Sequence, residues 1–254
     1  MGKKGKTARL KRKPAPAFWP IHRKELPWVA KPSPGSHSLE KCLPLTLVLR
    51  DILGVAQTRK EGQFILAQGK VIVNGKVMKK DDSPVGLMDI ISMPDMDKYY
   101  RVMPSHKGLV LTPISKEQSN IKLARVEDKA TVHNGVQIAL HDGTNMLIKV
   151  ADPKNPVEVK YETFDILKVT YPDKQVVQTL KTKEGNLAII TGGKNIGKQG
   201  KIVEIEKTVA KKRRQALVLI EDSEGARYQT IMDFIFSIGE TEPLITSLEA
   251  PAVV

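Results

Sequence analysis

The sequence predicts an α+β protein of several small domains, with more strand than helix. Three observations lead there. Residues 43–91 hold two segments with the spacing of short helices, followed by Asn-Gly between β-branched residues, a hairpin signal. Residues 121–171 hold four short apolar or alternating runs separated by turn residues, as a small antiparallel barrel or sandwich would. Residues 1–41 are rich in Lys, Arg and Pro without apolar periodicity, which marks an extension rather than a core-forming unit. A chain of 254 residues has room for about two to four such units.

Charge narrows the partners. The formal net charge is +13, with 41% hydrophobic residues but only 5% aromatic. Residues 1–31 carry ten Lys or Arg and one acid, whereas residues 215–254 carry one Arg and seven acids. Such a balance favours a polyanion, either nucleic acid or an anionic membrane surface. Cys42 is the single cysteine, so an intramolecular disulfide and a multi-cysteine zinc site are excluded. Beside Leu43 it reads as a small buried hydrophobe, in keeping with a reducing cytoplasm. No apolar run approaches the roughly 20 residues needed to span a bilayer. The basic N-terminus lacks the apolar stretch of a secretory signal, and Pro14, Pro16 and Pro20 would break the helix of a mitochondrial presequence.

Within the extension, 1–41, the cations Lys3, Lys4, Lys6, Arg9, Lys11, Arg12 and Lys13 precede a proline-spaced stretch. There Phe18, Trp19 and Trp28 alternate with Arg23, Lys24 and Lys31. Cations for phosphates and planar rings for stacking suit a tail that threads along RNA. Docking of the tryptophans on the protein's own body is the alternative, equally weighted for Trp28. Residues 1–31 are expected to order only on RNA, because they offer too little apolar surface to offset chain entropy.

In the next unit, 42–105, Leu45, Val48, Leu49, Ile52 and Leu53 form a helical stripe, with Pro44 in the first turn and Gly54 after the last. Thr58 and Glu61 form a capping box for a second helix. Phe64, Ile65 and Leu66 are its predicted buried side, and Gly69 terminates it. Val71 to Val77, turning at Asn74-Gly75, is the hairpin. Two helices and this turn resemble the alpha-L RNA-binding domain, through Thr58-Arg59, Gly69, Val71, Val73, Asn74, Gly75 and Asp89-Ile90-Ile91. Gln63 and Ala67 stand where that family often has Arg. The resemblance therefore implies an RNA contact through Arg59, Lys60, Lys70, Asn74, Lys76, Lys79 and Lys80.

For the central β domain, 106–172, strands are predicted at Leu123 to Val126, Val136 to Leu140, Met146 to Val150 and Phe164 to Val169. His133, His141 and Asp142 fall in turn stretches without metal-ligand spacing, and are expected to be solvated turn residues. In 173–212, Gly192 to Lys198 has the spacing of a phosphate-binding loop after a strand. Gln199 replaces the required Ser or Thr, and the β-branched run Lys201 to Ile205 predicts a strand where that loop needs a helix. A strand, a glycine-rich turn and a strand instead resemble the KOW motif of SH3-like barrels, which implies RNA contact through Lys194, Lys198 and Lys201. The basic cluster Lys211, Lys212, Arg213 and Arg214 follows, with a nuclear-import signal as its rival reading. The last unit, 213–254, is predicted to pair Ala216 to Ile220 with Tyr228 to Ile238 around an Asp222–Gly225 turn. Its acidic end, from Glu240, would face solvent or a protein neighbour.

The order of these units resembles the S-four-e family of small-subunit ribosomal proteins over essentially the whole chain. The likeness rests on Leu10-Lys11-Arg12, Trp19, Pro34-Gly35-Ser36-His37, Leu43-Pro44-Leu45 and Pro84 to Asp89, then Gly185-Asn186-Leu187, Thr191-Gly192-Gly193 and Phe234-Ile235-Phe236. Met146-Leu147-Ile148 departs from it, standing where the family is more polar and basic. The resemblance implies a non-catalytic, cytoplasmic constituent of the small subunit that binds and stabilises small-subunit rRNA beside neighbouring ribosomal proteins. It implies no cofactor, membrane, small-molecule substrate or homo-oligomer. The alternatives are a pseudouridine-synthase-like RNA-modifying enzyme and a free KOW-type regulator. The enzyme needs a catalytic Asp in an Arg-Leu-Asp setting, which Arg125-Val126-Glu127-Asp128 only approaches.

Overall fold

The computed structural model describes residues 9–22, 24–133, 135–150, 160–206 and 213–245. Among them, three five-stranded antiparallel sheets follow one another along the chain, with the α- and π-helical turns confined to the first third.

The first sheet runs in the order Lys76–Val77, Ile72–Val73, Ile90–Met93, Lys98–Ser105, Gly108–Pro113. Asn74 and Gly75 take φ of 49° and 72°, as an Asn-Gly hairpin turn requires. The expected first helix differs from the prediction. Pro44 is extended and belongs to a strand, Cys42–Pro44, paired with Pro84–Gly86. A single α turn, Leu45–Leu47, then widens into a π-helix, Val48–Ile52, in which the Leu53 N–H donates to the Val48 carbonyl at 2.9 Å. The stripe survives that rewinding, with Leu45, Val48 and Leu49 fully buried. The second helix, Arg59–Ala67, has both halves of its capping box: the Glu61 N–H donates to Thr58 Oγ1 at 3.3 Å, and the Thr58 N–H to Glu61 Oε2 at 3.4 Å. Its buried side is narrower than expected. Leu66 is buried and Phe64 is 63% exposed, because three successive residues cannot share one face of a helix.

The N-terminal extension also departs from expectation. Leu10–Lys11 pairs with Trp28–Val29, and Leu10, Ala15 and Trp19 join the core of the first sheet. Trp19 is buried, and its indole N–H donates to the Cys42 carbonyl at 2.8 Å. A tryptophan that fills a core and satisfies its polar atom there has no face left for stacking on RNA. The described part of this segment thus carries apolar anchors, Leu10, Ala15 and Trp19, which work against chain entropy.

The central sheet runs Asn145–Lys149, Gly135–Leu140, Ile121–Val132, Ile166–Thr170, Gln175–Leu180. The C-terminal sheet runs Arg227–Ile231, Leu217–Glu221, Gln199–Glu206, Leu187–Ile190, Ile235–Gly239. The expected long last strand is two strands, split by a 3-10 turn at Met232–Phe234. That break turns Ile235–Gly239 back onto Leu187–Ile190. Three expected boundaries consequently fall inside continuous sheets. The 105/106 boundary cuts the hairpin Lys98–Ser105/Gly108–Pro113, 172/173 detaches the strand Gln175–Leu180, and 212/213 divides the C-terminal sheet. Met88, Met103, Leu123, Ile166, Ile189 and Phe236 form a shared core between the three sheets.

Candidate nucleic-acid interface

The frame that carries the surface cations is locked by a buried polar cluster. Lys122 Nζ, on the long central strand, donates to Asp89 Oδ1 at 2.7 Å and to Asp142 Oδ2 at 2.6 Å, with all three side chains at most 1% exposed. Asp89 also accepts from the Asn74 amide at 2.8 Å, the Gly86 N–H at 2.8 Å and His37 Nε2 at 2.8 Å. Burial pushes Asp89 up, but Lys122 and the His37 bond outweigh it and hold the carboxyl below the usual range. Asp142 is likewise opposed by burial, yet Lys122 and Thr144 bring it down to about 2. Burial acts to lower Lys122, and the two carboxylates more than offset this. The cluster ties the first segment, the hairpin and the central sheet together, and removing one partner would strand an uncompensated charge.

His141 and Asp142 are therefore not solvated turn residues. His141 Nδ1 accepts from the Arg125 N–H at 3.1 Å and its Nε2 bonds the Leu87 carbonyl at 3.1 Å. Burial, reinforced by nearby Lys122, pushes it down to about 3, so it is neutral. Arg101 crosses the same junction, donating from Nη2 to the Gln118 and Ile121 carbonyls at 3.0 and 2.6 Å, and burial lowers it to about 10. Cys42 is buried, its thiol pushed up to about 12 by burial and by Asp89. No group of three or more His, Cys, Asp or Glu among the described residues could hold a metal ion. No helix there is long and apolar enough to cross a membrane.

Outside this frame lie the cations. Lys60, Lys76, Lys79 and Lys80 of the first module are exposed. Arg59, by contrast, pairs with Asp81 at 2.5 Å, and Lys70 lies 3.7 Å from Asp95. Asn74 turns inward: its amide donates to Asp89 and its carbonyl accepts the Ile90 N–H at 2.9 Å. It holds the hairpin rather than presenting an edge to a partner. In the first segment Arg12 donates twice to the Ile21 carbonyl, at 3.2 and 2.9 Å, pinning its own loop. Lys11, Lys13 and Lys24 are exposed. Trp28 is 50% exposed, with Arg9 and Lys11 within 5.9 and 5.5 Å of its ring centroid. Lys3, Lys4, Lys6, Arg23, Lys211 and Lys212 lie outside the described residues.

The glycine-rich turn ends in the strand Gln199–Glu206, so the helix N-terminus of a phosphate-binding loop is not formed. Lys194, Lys198 and Lys201 are exposed, with Lys198 5.5 Å from the Tyr228 ring centroid. A side chain on Gly197, where φ is 86°, would meet the Ser105 backbone at 2.9 Å. The turn is therefore seated on the hairpin turn 105–108, which brings exposed Lys107 beside it. Sequence reasoning missed Lys107, since only tertiary contact joins the two turns. Arg213 and Arg214 are about half exposed and also work inward. Arg213 pairs with Glu162 at 3.1 Å, while Arg214 pairs with Glu127 at 3.2 Å and Asp233 at 3.4 Å.

Comparison with known proteins sets this geometry in a family. A model described as Ribosomal family S4e matches residues 96–176, and one described as the RS4NT (NUC023) domain matches residues 4–40. The small ribosomal subunit protein eS4 of Staphylothermus marinus is 46% identical over 247 residues, covering 96% of this chain and 97% of that protein. The eS4 protein of Methanocaldococcus jannaschii is 39% identical, covering 96% and 99% respectively. The crystal structure of the 30S ribosomal protein S4e from Thermoplasma acidophilum matches with a TM-score of 0.64 at 30% identity, covering 79% of this chain and 96% of that one. Near-complete, end-to-end similarity of this kind places the chain in the S4e family of ribosomal proteins.

Proposed function

We propose that this protein is a structural constituent of the small ribosomal subunit in the cytoplasm, binding and stabilising its rRNA and touching neighbouring ribosomal proteins. Its relatives carry the name of a ribosomal constituent along their full length, which removes the RNA-modifying enzyme as a reading. The single observation that carries the RNA contact is physical. Exposed lysines stand on strands, turns and a capped helix whose backbone is already held by sheet pairing and, at the hairpin, by the buried Asp89 cluster. The backbone beneath them therefore needs little ordering on binding. In this reading residues 42–105 serve as an alpha-L module and the C-terminal sheet as an SH3-like barrel with a KOW turn. The RNA-facing cations are Lys11, Lys13, Lys24, Lys60, Lys76, Lys79, Lys80, Lys107, Lys194, Lys198 and Lys201, joined by the cations outside the described residues.

The protein should sediment with the small subunit and stay with it through a moderate salt wash. Replacing Lys60, Lys76, Lys79 and Lys80 with Gln should flatten the slope of log K against log salt by about 0.7–0.9 for each phosphate that is no longer neutralised. Arg59 is left intact, because removing it would leave Asp81 without its cationic partner. A protein that remains at the top of the gradient, or a slope that does not change, would refute the reading.

A further inference from the structure

A cleft of about 300 Å³ opens where the first segment and all three sheets meet. Phe18, Leu109, Ile196 and Phe234 line it, together with His141 and Phe236, whose rings meet edge to face with centroids 5.4 Å apart. Two of these rings sit against bare backbone. A side chain on Gly108 would run into Phe18, and one on Gly192 into Phe234.

The charges that reach the cleft cancel. Arg125 is bound to Glu127, Arg214 to Glu127 and Asp233, and Lys41 adjoins Glu40. His141 is held neutral by burial. Such an interior repels an ion but accepts an uncharged planar ring. Immediately outside, the two turns that contribute Gly108 and Ile196 to the cleft carry exposed Lys107, Lys194 and Lys198. A neutral aromatic slot beside a cationic rim is what an unstacked base needs, with its ring inside and its phosphates outside.

We propose that this cleft receives one unstacked base of the rRNA, its flanking phosphates held by the cations of the 105–108 and 191–198 turns. A volume near the lower end for ligand sites suits one heterocycle rather than two. This inference rests on the rRNA-binding reading above.

The test uses the full chain and a small-subunit rRNA transcript. Base-specific chemical probing of the wild-type complex should show one nucleotide protected on its base edge and unstacked from its neighbours. Ile196→Trp, which fills the cleft, should expose that nucleotide and weaken binding roughly five- to 150-fold, the range for removing one base–aromatic stack. The rest of the footprint and the salt slope should stay as they were. Ultraviolet crosslinking of the unmutated protein is independent of any folding defect in the variant, and should join RNA to the peptides containing Phe18 or Phe234. Affinity within twofold together with an unchanged footprint would overturn the proposal, as would crosslinks that avoid both peptides or a neighbouring protein's side chain found in the cleft. Loss of the salt-dependent complex in the wild type would instead defeat the rRNA-binding reading, and this inference with it.

Discussion

The hairpin turn at Asn74-Gly75 and the glycine-rich turn at 191–198 both press glycines against their own protein, yet they face opposite ways. Gly75 abuts Tyr171 and Pro172, and Asn74 beside it is drawn inward by Asp89 and Ile90. Gly197 abuts Ser105, while Lys194 and Lys198 around it remain in solvent. A glycine at a turn reports a need for positive φ or close approach. It does not say whether the thing approached is RNA or the protein itself. In this molecule Asn74 serves the frame and leaves the hairpin's charge to Lys76, whereas the glycine-rich turn presents Lys194 and Lys198 from within the turn itself.

That contrast can be broken most readily at Asn74. Asn74→Ala removes a bond from buried Asp89, leaves the Ile90 N–H without its acceptor, and places Ala at a φ of 49°. It should destabilise the protein by about 1–3 kcal/mol in a urea melt, with rRNA affinity unchanged under conditions where the variant is fully folded. Weakened affinity of the folded variant would move Asn74 to the RNA interface.

Acid should separate the turns next. His141 is neutral when folded and holds at about 3 against 6.5 ordinarily, so the unfolded chain takes up its proton first and stability declines as pH falls below 6.5. Asp142, held at about 2 against 3.8, adds a second loss as pH drops below about 4. Amide protection at Asn74 and Ile90, beside this cluster, should fall in that order, whereas protection at Thr191 and Gly197, whose N–H groups donate to the Phe234 and Ile190 carbonyls, should follow later. His141→Gln should abolish the first phase and keep the second. Simultaneous loss at both turns would mean that they unfold as one unit.

The smallest stability change belongs to Lys107→Gln with Lys194→Gln. The melt should shift by less than about 0.5 kcal/mol, while the salt slope should fall by roughly 1.4–1.8 for two phosphates. If the slope holds, these lysines are ordinary surface charge.

What could be read in the sequence follows the range of the forces involved. The Thr58–Glu61 capping box spans four residues and is found intact, as are the four central runs, whose alternation is local. Lys122 was indistinguishable from a surface lysine, because Asp89 and Asp142 lie 33 and 20 residues away. Trp19 and Trp28 sit in similar Pro- and Lys-rich surroundings, yet one fills a core and the other stays half in water. Nothing local separates them. The same limit hid the pairing of the 105–108 turn with the glycine-rich turn, and the splitting of the last strand at Met232–Phe234.

The way the first segment is seated has a consequence for how the protein is made. His37 packs on Gly86, Phe18 on Gly108 and Ser36 on Gly143, so every one of these seats is synthesised after the residue that uses it. At about 5–20 residues per second, roughly 6–25 s separate the appearance of Phe18 from that of Gly143. Throughout that interval the first segment lacks part of the surface on which it docks. A cationic strand of this kind attracts any polyanion nearby. The segment's charge is thus on offer before its own seats are complete.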